Sequence, residues 1–177
     1  FDLYRRGSVG EILSLMWVTF VLWAIEEKSK FLISIGLFLL AISHNSLFLL
    51  FAPVLFVYSV LRKKLTIKDT IISFTIGTLM SSFFIIPAVF ELSYTRFSKI
   101  KISEISSYFA SLELIGISSL VVLFAALVLF YSKKSKEKTA PFFIILSIVS
   151  IFLSLQISSL IWSVLPTSLL QFPFRIL

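Results

Sequence analysis

The chain has no cysteine and a single histidine, His44, among its 177 residues. The first absence excludes a disulfide framework, a thiolate nucleophile and a cysteine metal site. The second excludes a histidine-based metal cluster built within this chain. Glycine and proline, five of each, leave no room for a flexible linker, and no internal repeat or low-complexity segment stands out. No stretch carries the alternating pattern of a membrane barrel strand. No basic region with a cleavage site opens the chain, so no signal peptide is visible. Charge is also scarce, at 14% of residues.

What fills the chain instead is apolar: 58% hydrophobic residues, 20 of them Phe, and a mean hydropathy of +1.05. Spanning a hydrocarbon core takes about 20 apolar residues in a helix, and a helix satisfies its own backbone hydrogen bonds there. Five apolar stretches, one about double length, are separated by charged clusters. The class this implies is a multi-pass protein of the cell membrane. In a soluble protein the net charge of +7 would suggest nucleic acid. Here the enrichment of Lys and Arg in cytoplasmic loops accounts for most of it, and no nucleic-acid partner is expected.

Plain spans are expected over residues 8–25, 70–90, 112–131 and 140–158. The stretch 31–61 is too long for one, about 46 Å as a single helix against a core of about 30 Å. Ser43-His44-Asn45-Ser46 interrupts it, the most polar run within any apolar stretch. Ser, Asn and His favour helix ends, so the spacing predicts two helices, 31–43 and 46–61, with Asn45 or Ser46 as the N-cap. Each is about 20–24 Å long, which places the turn below the interface and under other helices. The fold class expected is all-α, a polytopic transmembrane bundle of about six helices including this short hairpin. Counting Lys and Arg gives ten against six with the hairpin, and ten against six again with one long helix, so helix length decides. The six-span reading puts Arg5, Arg6, His44, Glu91, the loop 93–111 and Arg175 on one non-cytoplasmic side. Phe1 and Arg175-Ile176-Leu177, both in apolar context, read as cut ends. A single transmembrane domain over residues 1–177, truncated at both ends, is therefore expected.

Ionisable groups at span ends are where chemistry is able to live in such a chain. Tyr4-Arg5-Arg6-Gly7-Ser8-Val9-Gly10-Glu11 sets two guanidinium groups beside a helix N-terminus, suited to a lipid-linked phosphate. The same run also reads as a Ser8-x-x-Glu11 capping box with interfacial Arg anchors. His44-Asn45 is suited to hold a polar substrate or pass a proton, or simply to satisfy loose backbone groups at a turn. Glu91, after Pro87-Ala88-Val89-Phe90, is either a base or a plain interfacial acid. Lys99-Ile100-Lys101-Ile102 suits a short strand or an interfacial segment. Trp162, Pro166, Gln171, Pro173 and Arg175 make the last segment irregular, or an aromatic belt closed by an Arg anchor.

Taken in order, these motifs resemble a large group of bacterial and archaeal membrane proteins. Tyr4-Arg-Arg-Gly-Ser-x-x-Glu11 is similar to that group's Tyr-x-Arg-Gly-x-x-x-Glu motif. Ser43-His44-Asn45, Pro87-Ala88-x-x-Glu91, and Trp162-x-x-Leu-Pro166 with Leu-Gln171-Phe-Pro-x-Arg175 follow as they do there. The group is labelled "6-pyruvoyl-tetrahydropterin synthase-related membrane protein" and resembles glycosyltransferases of the GT-C type. Pterin-synthase chemistry needs several histidines around zinc, and this chain has one. The resemblance implies transfer of sugar from a polyprenyl-phosphate carrier on the non-cytoplasmic face, for envelope glycan assembly. It implies carrier-phosphate binding by Arg5, Arg6 and Arg175, and a cavity with Glu11, His44, Asn45, Glu91 and Gln171. The catalytic carboxylate, and any divalent metal it holds, would precede Phe1, so no catalytic residue and no cofactor are assigned within the chain. The alternative class is a non-catalytic membrane scaffold or a lipid or polysaccharide transporter on the same helical frame.

Overall fold

The computed structural model describes residues 9–91, 94, 121, 123–124, 127–128, 131 and 140–164. Among these it is all-helical, with no strand. The chain divides into two compact units, residues 1–95 and 96–177.

In the first unit α1 spans Val9–Glu26, α2 Lys30–Ser43, α3 Asn45–Arg62, α4 Ile67–Met80 and α5 Ser82–Glu91. Both α1 and α3 have 18 residues, about 27 Å, and are long and apolar enough to cross a membrane. The ends of these helices follow from local chemistry. Lys28 takes a left-handed conformation (φ 58°) that closes α1. Its N–H reaches the Ile25 carbonyl and the Ser29 N–H reaches Ala24, the paired bonds of a Schellman stop. Ser29 then turns donor-acceptor roles around and caps α2, accepting from the Leu32 N–H at 3.4 Å. Lys63 (φ 51°) ends α3 in the same left-handed way, and Thr66 caps α4 by accepting from Asp69 N–H at 3.1 Å.

The predicted hairpin is present. The long stretch breaks at His44, and α2 and α3 flank it. Its cap differs from expectation: His44, rather than Asn45 or Ser46, is the N-cap of α3, its Nδ1 accepting from the Leu47 N–H. Two other expected helices are interrupted. The stretch 70–90 breaks at Ser81 (φ −88°, ψ 0°), where a Ser81-Ser82 pair bends the chain and the Ser81 hydroxyl donates back to the Thr78 carbonyl. In the second unit α6, Ala140–Ser154, stops short of residue 158. The Ser154 hydroxyl donates to Ile151, Leu155 becomes extended, and a 3-10 turn, Gln156–Ser158, leads into α7, Ser159–Val164. The expected span 112–131 lies almost wholly outside the described residues.

In the first unit α2 is the central element, packed on α1 and α4, with α3 against all three. Close approach is made possible by small residues. A side chain at Gly36 would lie 2.5 Å from Val21 Cγ2, and one at Gly77 would lie 2.8 Å from the Ser34 carbonyl oxygen. The register of these contacts runs α4 parallel to α2: Lys30 meets Asp69, Ser34 meets Ser73, and Gly77 sits on Ser34 and Leu37.

Burial is distributed in an unusual way. Ser14, Ser34, Ser46, Ser59, Thr70, Ser73 and Ser81 are buried beside Ile25, Ile33, Leu37, Leu40 and Leu55. Several of these hydroxyls are satisfied internally: Ser34 donates to the Ser73 carbonyl (2.9 Å), and Ser59 bonds Thr70 (3.1 Å). Meanwhile large apolar side chains face outward: Ile12, Leu15, Met16, Trp23, Leu49, Val57, Ile71, Ile76 and Leu79 are all exposed. Small and hydroxyl-bearing residues between helices, with large apolar ones outside, is how helices pack where the surroundings are themselves apolar.

Candidate functional site

Gly10 is the residue that assembles the site. It lies in the first turn of α1, and a Cβ there would come within 2.7 Å of the Ser43 carbonyl oxygen. Without that side chain, α1 closes onto the C-terminus of α2. The contact brings Glu11 to the α2–α3 turn, where His44 is the sole non-helical residue between the two helices.

His44 is fixed from three directions. Its backbone N–H donates to the Leu40 carbonyl and its carbonyl accepts from the Phe48 N–H, so it closes one helix and opens the next. Its Nδ1 accepts from the Leu47 N–H at 3.4 Å. An accepting Nδ1 places the proton of the neutral ring on Nε2. That nitrogen stands 3.8 Å from Glu11 Oε1, with the side chains 20% and 13% exposed. The separation is that of a charge contact, too long for a direct hydrogen bond. A shielded carboxylate beside an imidazole of fixed tautomer is able to orient a hydroxyl or to relay a proton. Asn45 is exposed, and its Oδ1 accepts from the Ser46 N–H at 2.8 Å, leaving its amide nitrogen directed away from that bond.

Of the other expected site residues, Glu91 is the last residue of α5 and is exposed. Arg5, Arg6, Gln171 and Arg175 lie outside the described residues, as does Ser8 of the expected capping box. The structure thus joins Glu11 to His44, with Asn45 as the next residue along the chain.

Sequence reasoning treated the charges at the other end of the unit as loop residues, and there it missed an organised cluster. The Glu26 carboxylate, at the last position of α1, is held by both Nε and Nη2 of Arg62. It also accepts from the Tyr58 hydroxyl at 2.8 Å and lies 3.3 Å from Lys64 Nζ. Lys30 and Asp69 make a second ion pair at 3.0 Å. The available signal was positional: an acid ending one apolar run and an Arg ending another, with a Tyr one turn before it.

The roles of His44 as cap and as partner of Glu11 separate by mutation. His44→Ala is expected to lower stability by ~1 kcal/mol through loss of the cap, whereas His44→Asn, a strong cap residue, recovers most of it. Thermal unfolding in detergent measures both. Equal losses would show that the imidazole's packing, rather than its cap, holds the turn.

Compared with protein-family models, with curated proteins and with solved structures, the chain finds no match.

Proposed function

We propose that this chain is part of a multi-pass membrane protein of about six helices that handles polyprenyl-phosphate-linked sugars in the manner of GT-C glycosyltransferases, at the non-cytoplasmic face of the cell membrane. The observation that carries this reading is the meeting of Glu11 with His44. Two motifs far apart in sequence, both part of the family resemblance, come together at one helix mouth. The same mouth follows directly on Arg5 and Arg6, whose guanidinium groups suit a carrier phosphate. The multi-pass part of the reading is supported by the outward apolar surface and by the hydroxyl-rich contacts between helices. In this scheme the arginines bind the carrier phosphate and Glu11 with His44 lines the cavity. The transfer chemistry belongs to a carboxylate upstream of Phe1.

One observation favours the transporter alternative. Among the described residues of the first unit the apolar stretches 31–61 and 70–90 each break, at His44 and at Ser81, and discontinuous helices frame substrate sites in many transporters. Sugar transfer from the carrier to an acceptor in reconstituted vesicles distinguishes the two; movement of carrier across the bilayer without transfer supports the alternative.

The carrier site is tested in the full-length protein. Charge-assisted bonds to phosphate are worth roughly 1.5–3 kcal/mol each. Arg6→Lys keeps the charge and loses the bidentate fork, so polyprenyl-phosphate binding is expected to weaken about tenfold with folding intact. Ser8→Ala is expected to cost about 1 kcal/mol of stability and leave binding unchanged. If Arg6→Lys binds as wild type and only Ser8→Ala is defective, the segment is a capped helix start and the carrier site is lost.

A further inference from the structure

The two turns at the end of the first unit opposite His44 are clipped together. Glu26, beside the α1–α2 turn, is bound by Arg62 and Lys64 from the α3–α4 turn, and Lys30 is bound to Asp69. These contacts consume two of the three acidic side chains among residues 26–30 and 61–69, leaving Glu27. Three lysines on the same clipped pair of turns are exposed and not used in this way. Lys28 and Lys63 are both at left-handed positions that end helices, and Lys68 is in the first turn of α4. Among the described residues, the side chains of Lys28 and Lys63 make no hydrogen bond or ion pair, and the Lys68 side chain acts on Asp69 only through space. Exposed Trp23, Phe31, Leu61 and Ile67 rim the same end.

We propose that this surface is a binding site for anionic phospholipid headgroups, with Lys28, Lys63 and Lys68 holding the phosphate. The inference rests on the membrane reading above. Basic side chains alone would suit any phosphate; the apolar rim selects the lipid. A free phosphate has no use for exposed Trp, Phe, Leu and Ile, whereas a phospholipid places acyl chains beside them and its headgroup at the lysines. The ion-pair clip matters because it ties the two turns together and engages Glu26 and Asp69, leaving Glu27 as the one acidic side chain of these turns beside the three lysines.

The test uses Trp23 as a local reporter in the full-length protein, with Trp17, Trp162 and any tryptophan outside these 177 residues replaced by Phe. In reconstituted vesicles, brominated phosphatidylglycerol is expected to bind beside Trp23 about fivefold or more in preference to brominated phosphatidylcholine, read as fluorescence quenching. The triple variant K28Q/K63Q/K68Q is expected to bring the two lipids to parity. Its unfolding midpoint in phosphatidylcholine alone is expected to match the parent, which shows that the loss is not one of folding. Equal quenching by the two lipids in the parent, or an unchanged preference in the triple variant, overturns the site. Abolition of the preference by millimolar inorganic phosphate at constant ionic strength also overturns it, since the ligand is then a free anion. Extraction of the protein from membranes by alkaline carbonate overturns the membrane reading itself, whereas a protein that resists extraction and shows no headgroup preference loses only this proposal.

Discussion

Replacing Gly77 with Ala is expected to destabilise the first unit by about 2–3 kcal/mol, and Gly77→Val by more. The reason is the identity of the neighbours. A methyl at Gly77 would lie 2.8 Å from the Ser34 carbonyl oxygen and 2.9 Å from Leu37 Cβ. Both atoms belong to, or are attached directly to, the α2 backbone and cannot rotate away. Relief requires α4 to move off α2, which also breaks the buried bond from the Ser34 hydroxyl to the Ser73 carbonyl. Gly36→Ala supplies the control. Its methyl would meet Val21 Cγ2 and Phe20 Cδ1, atoms on side chains with a rotamer to change. The expected cost there is smaller, roughly 1 kcal/mol. Unfolding midpoints of both variants in one detergent measure the difference. Equal losses at the two glycines would mean that α2 and α4 have slack which the close contact at Ser34 does not show.

How much of this was legible beforehand depends on whether the signal was local. The break at residue 44 was readable because four consecutive polar residues interrupt an apolar stretch too long for one span. The cap was not. Asn45 has the stronger intrinsic preference for that position, and His44 takes it because Gly10 lets α1 close on the Ser43 carbonyl and settle the imidazole between Leu47 and Glu11. The break at Ser81 had only a serine pair to announce it inside a run that otherwise reads as apolar. Serines are common between packed helices in an apolar medium, so their presence there does not by itself mark a bend. In the candidate site, each member stood out in sequence as an ionisable group in apolar context, but nothing in the spacing of Glu11 and His44 specified their meeting. That depends on a glycine whose significance is its missing side chain. The cluster around Glu26 was hidden for a related reason: its members sit at the ends of separate segments, and only the parallel course of α3 beside α1, after α2 has returned the chain, gathers them.

That cluster carries the second large expected effect. Glu26→Arg is expected to cost about 2–3 kcal/mol, because it sets a new guanidinium against Arg62 and Lys64 where a carboxylate had joined them. The side chains are 30% and 19% exposed for Glu26 and Arg62, so water screens part of the repulsion and the cost stays below that of a fully buried pair. The reversal Glu26→Arg with Arg62→Glu is expected to regain at least half of the loss. The exchange restores opposite charges at positions 26 and 62, whereas the Tyr58 hydroxyl loses its acceptor on α1. A double-mutant cycle on thermal unfolding in detergent isolates the coupling, expected at about 1–2 kcal/mol. A coupling near zero would mean that the turns are held by the packing of Ile25, Leu55 and Tyr58 beneath them, with the ion pairs merely resting on top.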